Sequence, residues 1–168
     1  TCWKNNCCFS MPITANPLTA GTPAPSFSTT LQDGSTRTLA DYAGKKLALY
    51  FYPRDMTPGC TAQACNLTEN FSQLAEAGIE VLGVSPDPAA KHSKFIEKYS
   101  IAFDLACDED LSLHKAFGVW GLKKFMGKEY EGTHRTTFLI DEEGTIASVI
   151  LKPKTKDHAA EVLAGFGH

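Results

Sequence analysis

The stretch KLALYFYPRDMTPGCTAQAC, residues 46–65, decides the fold. From Leu47 to Tyr52 it is a nearly continuous apolar run, ended by Pro53. Apolar residues at successive positions, without the alternation of a half-exposed strand, predict a strand buried on both faces in the middle of a sheet. The loop PRDMTPG follows. A helical pattern then runs from about Cys60 to Ala77, with Gly78 as its stop signal. A buried strand that hands over to a helix is the unit of an open α/β sheet, and such sheets form their sites at that junction.

Upstream, residues 13–26 are rich in Pro, Thr and Gly and read as an extended lead-in. FSTTLQDGSTRTL predicts a hairpin around Asp33-Gly34. Downstream, IEVLGVS (residues 79–85) is a second buried strand, and SPDPAAKHSKFIEKY is a helix opened by Asp87-Pro88. A short run from Phe103 to Ala106, a helix near Asp110 to Phe117 and a loop through Gly121 and Gly127 come next. TTFLIDEEGTIASVIL predicts a hairpin around Glu143-Gly144, and residues 157–166 a closing helix. Strands alternating with helices, then a late hairpin, give an α/β three-layer sandwich with a mixed sheet in one domain.

With 168 residues, 43% hydrophobic and 21% charged, the composition is that of an ordinary globular chain. The net charge of -3, without long runs of one sign, argues against nucleic-acid and membrane-surface partners. No apolar stretch approaches a membrane span. Of six cysteines, Cys2, Cys7 and Cys8 fall in the opening TCWKNNCCFS. That segment lacks a signal peptide's apolar core and a zinc spacing, and residues 1–20 read as a loose tail or vector remnant, with Met11 as a natural start. Residues 21–168 form the expected domain. Its three cysteines, Cys60, Cys65 and Cys107, suit reactive thiols in a reducing cytoplasm better than a stapled secreted scaffold.

Cys60 falls in the first turn of the predicted helix, where backbone N–H groups lack partners and the peptide dipoles favour negative charge. Cysteine thiolates, the nucleophilic form, are favoured at such positions. Gly59 permits close approach of a small substrate, and Pro58 fixes the entrance to the helix. Thr57 offers a hydroxyl to a thiolate or a substrate oxygen, or else caps the helix. A cation is wanted at the sulfur. Arg135, just before a buried strand, is the first candidate and Arg54 the weaker second, with a plain surface charge as the alternative. The bland reading of Cys60 is a small core hydrophobe. The five histidines show no metal spacing.

Cys65 lies five positions along the same helix. On an ideal helix that step rises about 7.5 Å and turns about 140°, a Cα separation of roughly 8.7 Å, beyond the roughly 7 Å that a disulfide spans. If Cys65 is to bond Cys60, the turn between them must unwind.

The runs FYPRDMTPGCTAQAC, VLGVSPD and FGVWGLKKFMGKEYEGTHRTTFLIDEEGTI together resemble the peroxiredoxins, in particular the bacterioferritin comigratory protein or peroxiredoxin Q subfamily, from about Pro23 onward. The resemblance implies a thioredoxin-like three-layer sandwich, with a central mixed β-sheet flanked by helices. It implies that Cys60 attacks peroxides, that Thr57 and Arg135 complete its site, that Pro53 shapes the substrate pocket and that Cys65 resolves the oxidised Cys60. Sulfenic acid at Cys60 would condense with Cys65 to a disulfide, which thioredoxin or a similar dithiol would reduce. No cofactor or metal is implied, and many such relatives are monomers. Cys107 matches no resolving position and reads as core. A disulfide carrier of the thioredoxin type is the main rival, but it prefers C-x-x-C, and here four residues separate the pair.

Overall fold

The computed structural model describes residues 16–125 and 127–167; the tail cysteines, Met11 and His168 lie outside them. The described chain begins with β1 (Ser28–Leu31), β2 (Thr36–Thr38) and a 3-10 turn at Leu39–Tyr42, followed by β3 (Lys46–Phe51). Next come α1 (Pro58–Glu69), α2 (Phe71–Glu76), β4 (Ile79–Ser85), α3 (Ala89–Tyr99), β5 (Asp104–Cys107) and α4 (Ser112–Ala116). The hairpins β6 (Trp120–Phe125) with β7 (Lys128–Thr133), and β8 (Thr136–Ile140) with β9 (Ile146–Ile150), precede α5 (His158–Gly165).

Seven strands form one mixed sheet in the order β2-β1-β5-β4-β3-β8-β9, in which β3, β4 and β5 are parallel and the rest pair antiparallel. The apolar run of β3 sits at its centre and divides by period two. Leu47, Leu49 and Phe51 join one core with Leu113, Phe117 and Phe138, below α4 and the 3-10 turn. Ala48, Tyr50 and Tyr52 join the other with Cys60, Ala64, Leu67, Phe95 and Val162, below α1, α3 and α5. Both faces are thus buried, as continuous apolarity predicts, and helices flank the sheet. Residues before 21 also touch this body: Asn16 and Leu18 donate backbone hydrogen bonds to Gly118 and Phe117 at 2.9 and 3.2 Å.

Three local expectations change. The helix expected over residues 60–77 begins earlier, at Pro58, and divides at Asn70, whose carboxamide donates to the Asn66 carbonyl at 2.9 Å and competes with the helical ladder. The expected loop through Gly121 and Gly127 is the β6–β7 ribbon, paired from Trp120↔Thr133 to Phe125↔Lys128. Finally, α3 starts at Ala89 with Pro88 as its N-cap, and the Asp87 side chain does not cap it. That carboxylate is engaged elsewhere, as described next.

Candidate active site

β3 ends at the sheet's centre and delivers Pro53–Thr57 to the start of α1, where Thr57 is the N-cap, Pro58 the first residue and Cys60 the third. The pyrrolidine ring at Pro58 loses no hydrogen bond there, because a first-turn N–H has no intrahelical partner. Cys60 is 1% exposed, its sulfur set into the core beneath the helix. Arg135, in the two-residue link between β7 and β8, reaches across to it. Its Nη2 donates to Cys60 Sγ at 3.2 Å and its Nη1 to Gln63 Oε1 at 2.6 Å. The guanidinium also approaches Gly59, where a Cβ would lie 3.2 Å from Nη2, so a side chain there would press on the cation that holds the sulfur. Beneath the site Tyr50 is fully buried. Its phenol is held well above its ordinary range, mostly by that burial and next by the charge of Cys60.

Of the residues singled out from sequence, Cys60, Gly59 and Arg135 meet at one point. Pro53 and Thr57 line an adjoining cavity of about 470 Å³ with Trp120, Lys123 and Tyr130. The Thr57 hydroxyl donates to the Arg54 carbonyl at 2.9 Å and makes no side-chain cap bond. Arg54 itself is exposed and borders the same cavity. Cys65 is half-buried on the next turns of α1, and Cys60, Cys65 and Cys107 are all free thiols. Burial first, and Glu69 second, raise the Cys65 thiol above its ordinary range. Cys107 is pushed up to about 11, by burial foremost and then by Glu109, Asp55 and Asp87, which keeps it protonated and weakly nucleophilic at neutral pH.

Several contributors escaped the sequence reading. Gln63 stands three residues after Cys60, a spacing that places both on one helix face and was available as a signal. Asp55 carries none. It is buried, takes a hydrogen bond from the Tyr52 hydroxyl at 2.6 Å and faces His92 Nδ1 at 2.6 Å, while His92 Nε2 donates to the Ala106 carbonyl at 2.9 Å. The Asp55 amide donates to Asp87 at 2.7 Å, which is where the carboxylate missing from the α3 cap has gone. These bonds fasten the loop before Cys60 to β4, β5 and α3. His92, His114 and His158 are core residues with side-chain partners, and among the described residues no cluster of metal-ligating side chains occurs.

A buried sulfur at a helix start, bonded by a guanidinium, with a cavity bordered by the helix's own N-cap residue Thr57, is an arrangement for nucleophilic attack by a thiolate. The AhpC/TSA family signature matches residues 20–149. The chain is 50% identical over 148 residues to peroxiredoxin Bcp of Escherichia coli K12, which covers 88% of this chain and 95% of that one. It is 48% identical over 143 residues to peroxiredoxin Bcp of Bacillus subtilis, with 85% and 91% covered. Among solved structures, the bacterioferritin comigratory protein of Xanthomonas campestris, studied for its alkyl peroxide reduction activity, superposes with a TM-score of 0.82 at 35% identity over 90% of this chain and 96% of that one. BcpB of Mycobacterium tuberculosis does so with a TM-score of 0.78 at 31% identity, over 88% and 96%. The chain therefore belongs to the AhpC/TSA family, among the Bcp-type peroxiredoxins of thioredoxin-like fold, and is a thiol peroxidase.

Proposed function

We propose that Cys60 is the nucleophile of this peroxidase and Cys65 its resolving partner. The Cys60 thiolate attacks the terminal oxygen of a peroxide, forming the S–O bond and breaking O–O, and becomes a sulfenic acid. Condensation with the Cys65 thiol releases water and leaves a Cys60–Cys65 disulfide, which an external dithiol such as thioredoxin reduces by exchange. Arg135 stabilises the thiolate and the charge that develops on the peroxide oxygens. Thr57 and Gly59 hold the substrate oxygens near the sulfur, and Pro53 shapes the mouth of the pocket. The observation that carries this reading is the Arg135 Nη2 donor 3.2 Å from Cys60 Sγ.

Hydrogen peroxide and alkyl hydroperoxides are the substrate class, the latter supported by the activity studied in the Xanthomonas relative and by the apolar Trp120, Tyr130 and Pro86 walls of the cavity. Residues 21–168 form the catalytic domain, which works as a cytoplasmic monomer; among the described residues no helix is long and apolar enough to cross a membrane. Treating the reduced protein with stoichiometric hydrogen peroxide tests the assignment. Two thiols of Cys60, Cys65 and Cys107 should disappear together, Cys60→Ser should abolish the reaction and Cys65→Ser should stop it at a trappable sulfenic acid. Peroxide consumption by the Cys60→Ser protein at the unmodified rate would refute it.

A further inference from the structure

Lys123, from the β6–β7 ribbon, borders the cavity whose wall includes Thr57, three residues before Cys60. Its stem crosses Gly132 on the facing strand, where a Cβ would sit 3.2 Å from Lys123 Cδ and 3.3 Å from Tyr130 Cε2, so the two side chains pass closely over the glycine. Its ammonium donates to the Thr133 carbonyl at 2.9 Å, two residues before Arg135. An ammonium carries three N–H donors, and the Thr133 carbonyl takes one of them.

Attack by a thiolate on ROOH leaves the second oxygen as RO⁻, which must be protonated. Arg135 is ill suited to that task, because a guanidinium does not give up its proton in a protein. Resting on the reading of Cys60 as nucleophile, we propose that Lys123 is the general acid of peroxide reduction. The Cys60 thiolate takes the terminal OH and becomes the sulfenic acid, oxidised by two electrons as the peroxide is reduced. The O–O pair leaves with the RO oxygen, and a Lys123 ammonium proton goes to that oxygen, giving ROH and a neutral amine that water reprotonates. Hydrogen peroxide follows the same course with water as ROH.

The charges around Lys123 time this transfer. Burial chiefly, and Arg135 next, weaken its hold on the proton, while the Cys60 sulfur opposes them. When the negative charge leaves sulfur for oxygen, the opposing influence is spent and the two remaining ones favour release. Arg54 and Asp87 from the loops, and Glu131 from β7, complete the charged lining, one cation and two carboxylates.

The test uses the reduced, full-length protein and the second-order rate constants for hydrogen peroxide, tert-butyl hydroperoxide and peracetic acid. Acetate leaves without needing a proton, so peracetic acid is the internal control for folding and for an intact nucleophile. General acid catalysis contributes about 10²–10⁴-fold, so Lys123→Met should lose about 10²-fold with the first two oxidants and less than about 3-fold with peracetic acid. Lys123→Arg, which keeps the charge and withholds the proton, should show the same split. A uniform loss with all three oxidants, no loss with any, or full rescue by arginine overturns the proposal. Failure of the nucleophile assignment appears separately, as peroxide reduction that survives Cys60→Ser.

Discussion

The two flanks of the Cys60 segment and the span between them treat polar groups in opposite ways. On the near flank Asp55 satisfies Tyr52 and faces His92, and its amide is held by Asp87. On the far flank Asn66 uses both ends of its carboxamide at the start of α5, donating to the Lys156 carbonyl at 3.0 Å and accepting from the Ala159 amide at 2.8 Å. Between these anchors the Thr61 hydroxyl and Gln63 Nε2 are buried without a partner among the described residues, as is the Tyr50 hydroxyl below them. Met56, just past the near anchor, is 41% exposed and takes a left-handed φ of 66°. Buried unpaired groups cost free energy that exposure to water recovers. The span from Met56 to Cys65 is therefore the part of the site with least to lose by opening, and its ends are fastened. That is the segment which must unwind if Cys60 and Cys65 are to bond.

The largest effect is expected at the near anchor. Asp55→Ala strips two side-chain partners from buried groups and should cost about 3–5 kcal/mol in urea unfolding. Peroxide turnover should fall with it, because the loop that carries Thr57 loses its attachment to α3. A loss below about 1 kcal/mol would mean that the loop is held by its backbone bonds alone.

The far anchor comes second. Asn66→Ala removes a cap supplied in trans to α5, whose own N-cap Asp157 makes no side-chain cap bond, and should cost about 1–3 kcal/mol. Amide exchange sharpens the point. In the unmodified protein, oxidation should raise exchange across residues 59–65 and leave protection intact beyond Asn66. In Asn66→Ala the loss should run on towards Glu69. An identical boundary in both proteins would show that Asn66 does not set it.

How far these features could be read in advance follows from how local they are. Cys60, its helix start, Thr57 and the five-residue step to Cys65 are written in one contiguous stretch, and the rules of helix ends apply to them directly. Arg135 was singled out because it stands just before a buried strand and because the family resemblance points to it; that this strand pairs with β3 is visible only in the fold. The Asp55–His92 contact joins residues 37 apart, and no periodicity encodes which buried acid will meet which imidazole. The β6–β7 ribbon was missed for a different reason. Its strands lie outside the main sheet, and the KEYE run of β7 is exposed throughout, so the alternation that marks a half-buried strand is absent. Lys123 was hidden along with its strand.

The smallest effect tests the comparison most directly. Thr61→Val keeps shape and β-branching while deleting a buried hydroxyl that lacks a partner, so it should stabilise the closed helix by about 1 kcal/mol where most core changes destabilise. A stabilisation of that size lowers the open population about fivefold, and disulfide formation after peroxide attack should slow by the same factor. The attack itself should keep its rate, because the Thr61 hydroxyl bonds neither Arg135 nor Cys60, Thr61 does not line the cavity, and its backbone bond to the Thr57 carbonyl at 2.8 Å survives the substitution. Opening also matters for Cys65: its thiol is raised chiefly by burial, and unwinding removes that influence and lets it ionise for its own attack. A slower resolving step leaves the sulfenic acid exposed to a second peroxide, so Thr61→Val should accumulate more sulfinic acid at Cys60 under excess peroxide, measured by mass spectrometry. A variant that is more stable yet forms the disulfide as fast as before would show that the unpaired groups of this span do not set its opening.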